Sequence, residues 1–307
     1  MKHSYLTLFL LLSVGLFSCR KEGNDVDIKT YDQQQIQAYI AANGLTNMKR
    51  DMTDGDTTGI YYEILAQGSG NANLLQYETP VSIVYSIKSL SGKYIVADTI
   101  VNHLYSFVGR LPTKGLMLAV KNLAMYKGTR ARFLIPSRLA YGIGGLGTGS
   151  TRLVGNESLD YYVNVISSQD AYDEDVIKRY IAANNLTGYV KSDSGSGLYY
   201  KVVTPGTGTV FPAFNATVTT KYVGSFLNGT DFDNSGQEAS FILNNLGAIG
   251  FGEGVQKGTA GAHISMLLPS KLGYGVNGSV NQATGVVTIP PNSILRFEVD
   301  LLTVTNP

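Results

Sequence analysis

Apolar positions along this chain switch between a helical and a strand period, and the switches occur twice in the same order. Residues 174–183 carry Val176, Ile177, Tyr180 and Ile181 at helical spacing. This predicts an amphipathic helix with Asp173 as its N-cap and Asn184-Asn185 as its stop. Ile36, Tyr39 and Ile40 make the same stripe earlier in the chain. Strands are predicted downstream of the second stripe. Residues 198–203 form an apolar and aromatic run closed by the turn cluster Pro205-Gly206-Thr207-Gly208. Residues 216–223 alternate, with Val218 and Tyr222 on one face, and Asn228-Gly229 is a hairpin signal. Further strands are predicted at 240–243, at 262–268 before Pro269, and at 294–304, where Leu295, Phe297, Val299 and Leu301 alternate. Between them, 246–257 is apolar at Ile249, Phe251 and Val255 but carries Gly250, Gly252 and Gly254. Each glycine costs a helix up to ~1 kcal/mol relative to Ala, so a helix there needs tertiary packing. The unit is therefore α+β: a curved antiparallel sheet wrapped on a short helix and preceded by an extra helix.

The unit is present twice. Gly59-Ile60-Tyr61-Tyr62-Glu63-Ile64 returns as Gly197-Leu198-Tyr199-Tyr200-Lys201-Val202. Tyr39-Ile40-Ala41-Ala42-Asn43 returns as Tyr180-Ile181-Ala182-Ala183-Asn184, and Leu139-Ala140-Tyr141-Gly142 as Leu272-Gly273-Tyr274-Gly275. A period this long is a duplicated domain, not a solenoid repeat of about 20–50 residues. The expected boundaries are 31–168 for the first copy and 169–307 for the second, each with its N-terminal helix.

Composition adds location and exclusions. Residues 6–17 are almost wholly apolar, too short for a membrane-spanning helix of ~20 residues, and read as a signal peptide. The segment ends Leu16-Phe17-Ser18-Cys19, which resembles the bacterial lipoprotein lipobox. Cys19 is the only cysteine, so no intramolecular disulfide can form, and lipidation at Cys19 is the expectation. Residues 1–19 are then the signal and 20–30 a polar tether. The resemblance implies a lipid-anchored protein of a bacterial cell envelope, with the membrane as a partner through the anchor. With 24 basic and 23 acidic residues and no basic block, nothing recommends nucleic acid as a partner. The three histidines are scattered, with no metal-ligand spacing. No nucleophile elbow or phosphate loop is present, and no cofactor is expected.

The second copy concentrates aromatic and polar groups in one order: Tyr222-Val223-Gly224, Phe232-Asp233, Ile249-Gly250-Phe251, Leu272-Gly273-Tyr274-Gly275, Ile289-Pro290-Pro291 and Phe297. Any one of these is weaker than its structural alternative, since Phe232, Phe241 and Phe297 could be plain core and Asp233 a turn former. Together and in order, over residues 197–304, they resemble the FKBP-type peptidyl-prolyl isomerases. The resemblance implies an apolar pocket with Phe251 as its floor, lined by Tyr222, Phe232, Phe241, Ile249, Ile289 and Phe297. Tyr274 would offer its hydroxyl, and Ile249 its backbone N–H, to carbonyls of a bound peptide. Asp233 would fix the edge, and 276–288 would form a mobile lip. Two departures stand out: the floor is Phe where Trp is commoner, and the Ile249-Gly250 joint is one residue tighter than the family pattern.

The implied activity is peptidyl-prolyl cis-trans isomerisation of proline-containing unfolded or partly folded polypeptides, assisting folding of envelope proteins. Macrolide binding comes with the resemblance. In the first copy Tyr85, Asp98, Tyr141 and Tyr161 stand for Tyr222, Asp233, Tyr274 and Phe297. There the Phe before the Asp is Ala97, Ile-Pro-Pro is Leu153-Val154-Gly155, and Leu116-Met117-Leu118 offers no aromatic floor. The first domain is expected to keep the fold with weak or no isomerase activity. The competing reading is a lipid-anchored peptide-binding or chaperone protein without catalysis.

Overall fold

A computed structural model describes residues 26–53, 55–234 and 236–307. The expected signal peptide, Cys19 and most of the expected tether lie outside the described residues. The last tether positions do not: Ile28, Lys29 and Thr30 form the first turn of helix α1 (Ile28–Ala42), whose N-terminal amides are capped by the Asp27 carboxylate.

The first domain continues with β1 (Lys49–Arg50), β2 (Tyr61–Ala66), β3 (Pro80–Ser89), β4 (Ile95–Val96), β5 (His103–Phe107), α2 (Lys114–Leu118), β6 (Arg130–Ile135) and β7 (Leu159–Val165). The second has α3 (Gln169–Ala183), β8 (Val190–Lys191), β9 (Tyr199–Thr204), β10 (Thr217–Phe226), β11 (Asp231–Asn234), β12 (Ala239–Ile242), α4 (Ile249–Val255), β13 (His263–Leu268), the small hairpin β14 (Ser279–Val280) with β15 (Val287–Ile289), and β16 (Leu295–Thr305). The seven-stranded sheets have one topology: β1-β2-β6-β7-β3-β4 with β5 also on β3, and β8-β9-β13-β16-β10-β11 with β12 also on β10. Every pairing is antiparallel. The duplication read from the sequence is thus a duplication of fold.

Each sheet is covered on both faces. Met266 and Leu268 of β13 face the inner core with α4, whereas Leu267 faces outward with Ile177 of α3. This two-sided burial explains why β13 is apolar without alternation. In the first domain Phe133 and Leu134 divide the same way, with Ile36 and Tyr39 of α1 covering Leu134. The N-terminal helices therefore pack on their own sheets. The short helix α4 sits close to the sheet because its glycines leave room. A Cβ on Gly254 would lie 2.4 Å from Met266 Sδ, and one on Gly250 2.7 Å from Leu272 Cβ. Packing overrides poor helix propensity here.

A buried carboxylate pins each N-terminal helix. Asp173 is not an N-cap; Ser168 caps α3, and Asp173 lies within the helix. Its carboxylate accepts from Ser270 N at 2.7 Å and Ser270 Oγ at 2.6 Å. Asp32 of α1 accepts from Ser137 Oγ at 2.6 Å and Arg138 N at 3.2 Å. Burial pushes the Asp173 carboxyl up, against the lowering effect of its Ser270 and Gln169 bonds.

Candidate functional site

The site is built on two neighbouring strands, β10 and β16, and on the entrance to α4. Antiparallel register sets Gly224 opposite Phe297 and Tyr222 opposite Val299. Tyr222 and Gly224 lie two residues apart, so their side-chain positions share the inner face. Phe251, on the first turn of α4, rises against that face and is 4% exposed. Its ring meets Phe297 at 5.2 Å, Tyr222 at 5.4 Å and Phe241 at 5.9 Å between centroids, each pair edge to face. Phe232 stacks behind, 5.7 Å from Phe297 and 5.2 Å from Phe226. Such pairs add ~0.5–1.5 kcal/mol beyond burial and fix ring orientation.

The result is a concave cavity of about 160 Å³ walled by Tyr222, Phe241, Leu246, Ala248, Phe251, Tyr274 and Phe297, with Asp233 at its edge. The Tyr222 hydroxyl donates to Asp233 Oδ2 at 2.7 Å. Burial first, then this bond, pushes the Tyr222 hydroxyl well above its ordinary pKa. Tyr274 is raised by burial and by the charge of Asp233. Both phenols stay protonated at neutral pH and keep their O–H donors.

Gly224 is what lets the rings close. A Cβ there would lie 2.8 Å from Phe232 Cε2, Phe232 Cζ and Phe297 Cε1. Carbon–carbon contacts are comfortable only near ~3.5–4.0 Å.

Of the expected pocket residues, Tyr222, Asp233, Phe241, Phe251, Tyr274 and Phe297 converge on the cavity. Phe232 and Ile289 belong to the packed layer behind it. Ile249 does not line it. Its side chain is 60% exposed, and the residue that enters the cavity at the head of α4 is Ala248. The cavity-lining residue next to the Ile249-Gly250 joint is thus one position earlier than expected. The segment 276–288 contains the β14–β15 hairpin, and Val276, Val286 and Val287 stand exposed on it.

The first domain brings together three of its four expected residues. Tyr85, Tyr141 and Tyr161 interact electrostatically, with Tyr94 beside them, and burial raises all three. Asp98 does not join them. Strand register places Val96 opposite Ile87, where the second domain has Asp233 opposite Gly224. Asp98, two residues on, accepts instead from Asn228 of the second domain. Ile87, buried in the first core with Tyr161 and Leu116, stands where Gly224 stands in the second domain. A branched side chain thus stands where, in the second domain, the Phe232 and Phe297 rings close over glycine. The sequence carried this signal, because Tyr85-Ser86-Ile87 replaces Tyr222-Val223-Gly224.

Residues 208–302 match the family model described as FKBP-type peptidyl-prolyl cis-trans isomerase. The chain is 36% identical over 160 residues to the FKBP-type peptidyl-prolyl cis-trans isomerase FkpA of Aeromonas hydrophila, covering 49% of this chain and 56% of that protein. It is 40% identical over 114 residues to FkpA of Escherichia coli, covering 36% of this chain and 39% of that one. The matches thus span about half or less of these relatives. The crystal structure of FkpA from Escherichia coli aligns over 44% of this chain and 61% of that one, at 35% identity and a TM-score of 0.37.

Proposed function

We propose that this chain, whose residues 208–302 form a domain of the FKBP-type peptidyl-prolyl cis-trans isomerase family, catalyses prolyl isomerisation in the cavity of its second domain. The observation that carries this reading is the aromatic box over Phe251, open to solvent and edged by two phenols. Rotation about an Xaa–Pro bond faces a barrier of ~18–20 kcal/mol, because twisting the amide breaks its resonance. The planar amide is the more polar state; the twisted one has a localised nitrogen lone pair and a smaller dipole. An apolar box therefore disfavours the planar ground state more than the twisted state. Each ~1.4 kcal/mol removed from the barrier gives a tenfold rate gain.

Phe251, Phe241 and Phe297 would receive the prolyl ring. Tyr274 Oη and the Ala248 N–H would donate to the flanking carbonyls, with Asp233 orienting Tyr222. No step needs a nucleophile. Unfolded or partly folded envelope proteins would be the substrates, and a macrolide that fits the box would compete with them. Cys19 would carry a lipid that holds the chain to a membrane; incorporation of labelled palmitate that is lost in Cys19→Ala tests this.

The exposed Ile249, Val276, Val286 and Val287 favour a second reading, a surface that holds unfolded chain without turning it over. One experiment separates the two: cis-to-trans conversion of a fluorogenic Xaa-Pro tetrapeptide by the full chain. Acceleration proportional to protein concentration supports the isomerase. Peptide binding with only the spontaneous rate overturns it in favour of holding.

A further inference from the structure

The first domain touches the second at an arm, residues 98–103, and at Ser82 of β3. The arm is a compact turn: Val101 N and Asn102 N both donate to Asp98 O, at 3.3 and 3.0 Å, and Ile100 N to Asp98 Oδ1 at 2.9 Å. Ile100 leaves its own domain and packs on both cores of the second, and Val101 on the inner one. The imidazole of His103 sits behind the tip against the edge of Tyr172, 6.2 Å between centroids. Its Nδ1 lies 2.9 Å from the carbonyl of Asn292, and its Nε2 3.0 Å from the carbonyl of Thr99. Asn292 Nδ2 in turn donates to Ser82 Oγ at 2.7 Å.

Asn292 is the crossing point. It is 3% exposed, with φ of 54°, a backbone state that asparagine tolerates better than most residues. Its N–H donates to Gly275 O at 2.7 Å, and Gly275 directly follows Tyr274 of the cavity. Upstream, Pro291 and Pro290 join it to the buried Ile289; downstream, β16 carries Phe297. The first domain repeats the internal half of this device. Asn156, at φ of 58°, donates to Gly142 O at 2.8 Å beside Tyr141. Among the described residues, only the second copy has an additional clamp supplied by its neighbour.

We propose that the first domain acts as a brace for the second domain's cavity, with His103 and Ser82 as positioning residues that hold Asn292 and, through Gly275, the backbone that carries Tyr274. The domains are fit for this role because only residues 166–168 separate β7 from α3, and Ile166 N is itself bonded to Ser82 O at 2.9 Å. Catalytic side chains must be held within fractions of an ångström, and that precision comes from the groups behind them. The brace gives a role to a domain in which Ile87 stands where the second domain has Gly224. For its effect on catalysis the inference rests on the isomerase reading, but its structural half does not.

The test uses the full chain with Ser82→Ala, His103→Ala and His103→Gln, each checked for native far-ultraviolet circular dichroism. Amide hydrogen exchange is followed at 273–278 and 292–295, with 140–145 and 156–158 of the first domain as the internal control. Loss of one clamp bond should speed exchange in the first set roughly three- to tenfold and leave the control set unchanged. His103→Gln, whose amide can still donate to Asn292 O, should recover part of the protection. In the tetrapeptide assay Ser82→Ala and His103→Ala should lower kcat/KM mainly through kcat, since the binding surface is untouched. Unchanged exchange in 292–295 in both alanine variants overturns the brace, whatever the activity. Faster exchange in a chain that never accelerates isomerisation retains the brace and removes the isomerase.

Discussion

Gly224→Ala puts the smallest possible side chain at the tightest point of the cavity wall. Its methyl carbon would lie 2.8 Å from three ring carbons of Phe232 and Phe297, well inside the ~3.5–4.0 Å of ordinary contact. The rings cannot simply swing away. Phe297 is 4% exposed and wedged between Phe251 at 5.2 Å and Phe232 at 5.7 Å, and Phe232 is backed by Phe226 at 5.2 Å. Overpacking of this kind costs ~1–3 kcal/mol, against ~0.5–1 kcal/mol gained when alanine replaces glycine in a strand interior. A net loss of roughly 0.5–2 kcal/mol is expected, a sizeable part of a typical domain stability of ~5–15 kcal/mol. Phe297 would yield towards the cavity, so activity should fall further than stability. Urea unfolding read by tyrosine fluorescence and near-ultraviolet circular dichroism gives the first quantity, and the tetrapeptide assay gives the second. An alanine variant with unchanged midpoint and unchanged kcat/KM would refute the claim that glycine is required for ring closure.

Three further outcomes follow from the same geometry. Tyr222→Phe removes the 2.7 Å bond to Asp233 while keeping the ring. It should leave stability within about 1 kcal/mol, because Asp233 is exposed and water can replace the lost donor, and it should lower kcat/KM severalfold. Asp173→Ala strands the Ser270 amide and hydroxyl behind α3 and should cost about 2–4 kcal/mol in urea unfolding, with Asp32→Ala giving a similar loss in the first domain. Glu253 Oε1 accepts from Ser192, Ser194 and Ser196 at 2.6, 2.7 and 2.9 Å. Burial raises its carboxyl, but the three hydroxyl bonds and the charge of Lys257 outweigh that and hold the group below its usual 4.5. A depressed carboxyl contributes stability above the unfolded-state pKa that is lost as pH falls through the folded one. The stability gap between wild type and Glu253→Gln should therefore be constant near neutrality and shrink below about pH 4.5.

What the sequence made legible follows from how each feature is encoded. The repeat, the helical stripes at Tyr39 and Tyr180, and the Phe251–Phe297 box rest on residue type and period, which are local. Two positions shifted because their registers depend on geometry that counting does not carry. Ala97-Asp98 resembles Phe232-Asp233 in order, but ladder pairing brings Val96 into that place and releases Asp98 to the neighbouring domain. Order along the chain puts Ile249 in the pocket wall, but α4 begins at this residue with its side chain exposed, and Ala248 before it lines the cavity. Asp173 read as an N-cap because a carboxylate ahead of an apolar stripe is the usual signal, whereas α3 begins at Gln169 and buries it. The arm was invisible because His103, Ser82 and Asn292 are far apart in sequence and meet only through tertiary structure.

The second domain's aromatic box, and not its counterpart in the first, is the proposed site of prolyl turnover. One substitution in the pocket of each domain tests this: Phe251→Ala in the second and Tyr141→Phe in the first, made in the full chain, each confirmed folded, and assayed with the same Xaa-Pro tetrapeptide. Phe251→Ala should lose at least about tenfold in kcat/KM, equal to ~1.4 kcal/mol of transition-state stabilisation, while Tyr141→Phe should stay within about twofold of wild type. Full activity in Phe251→Ala, or a wild-type chain no faster than spontaneous isomerisation, would contradict it.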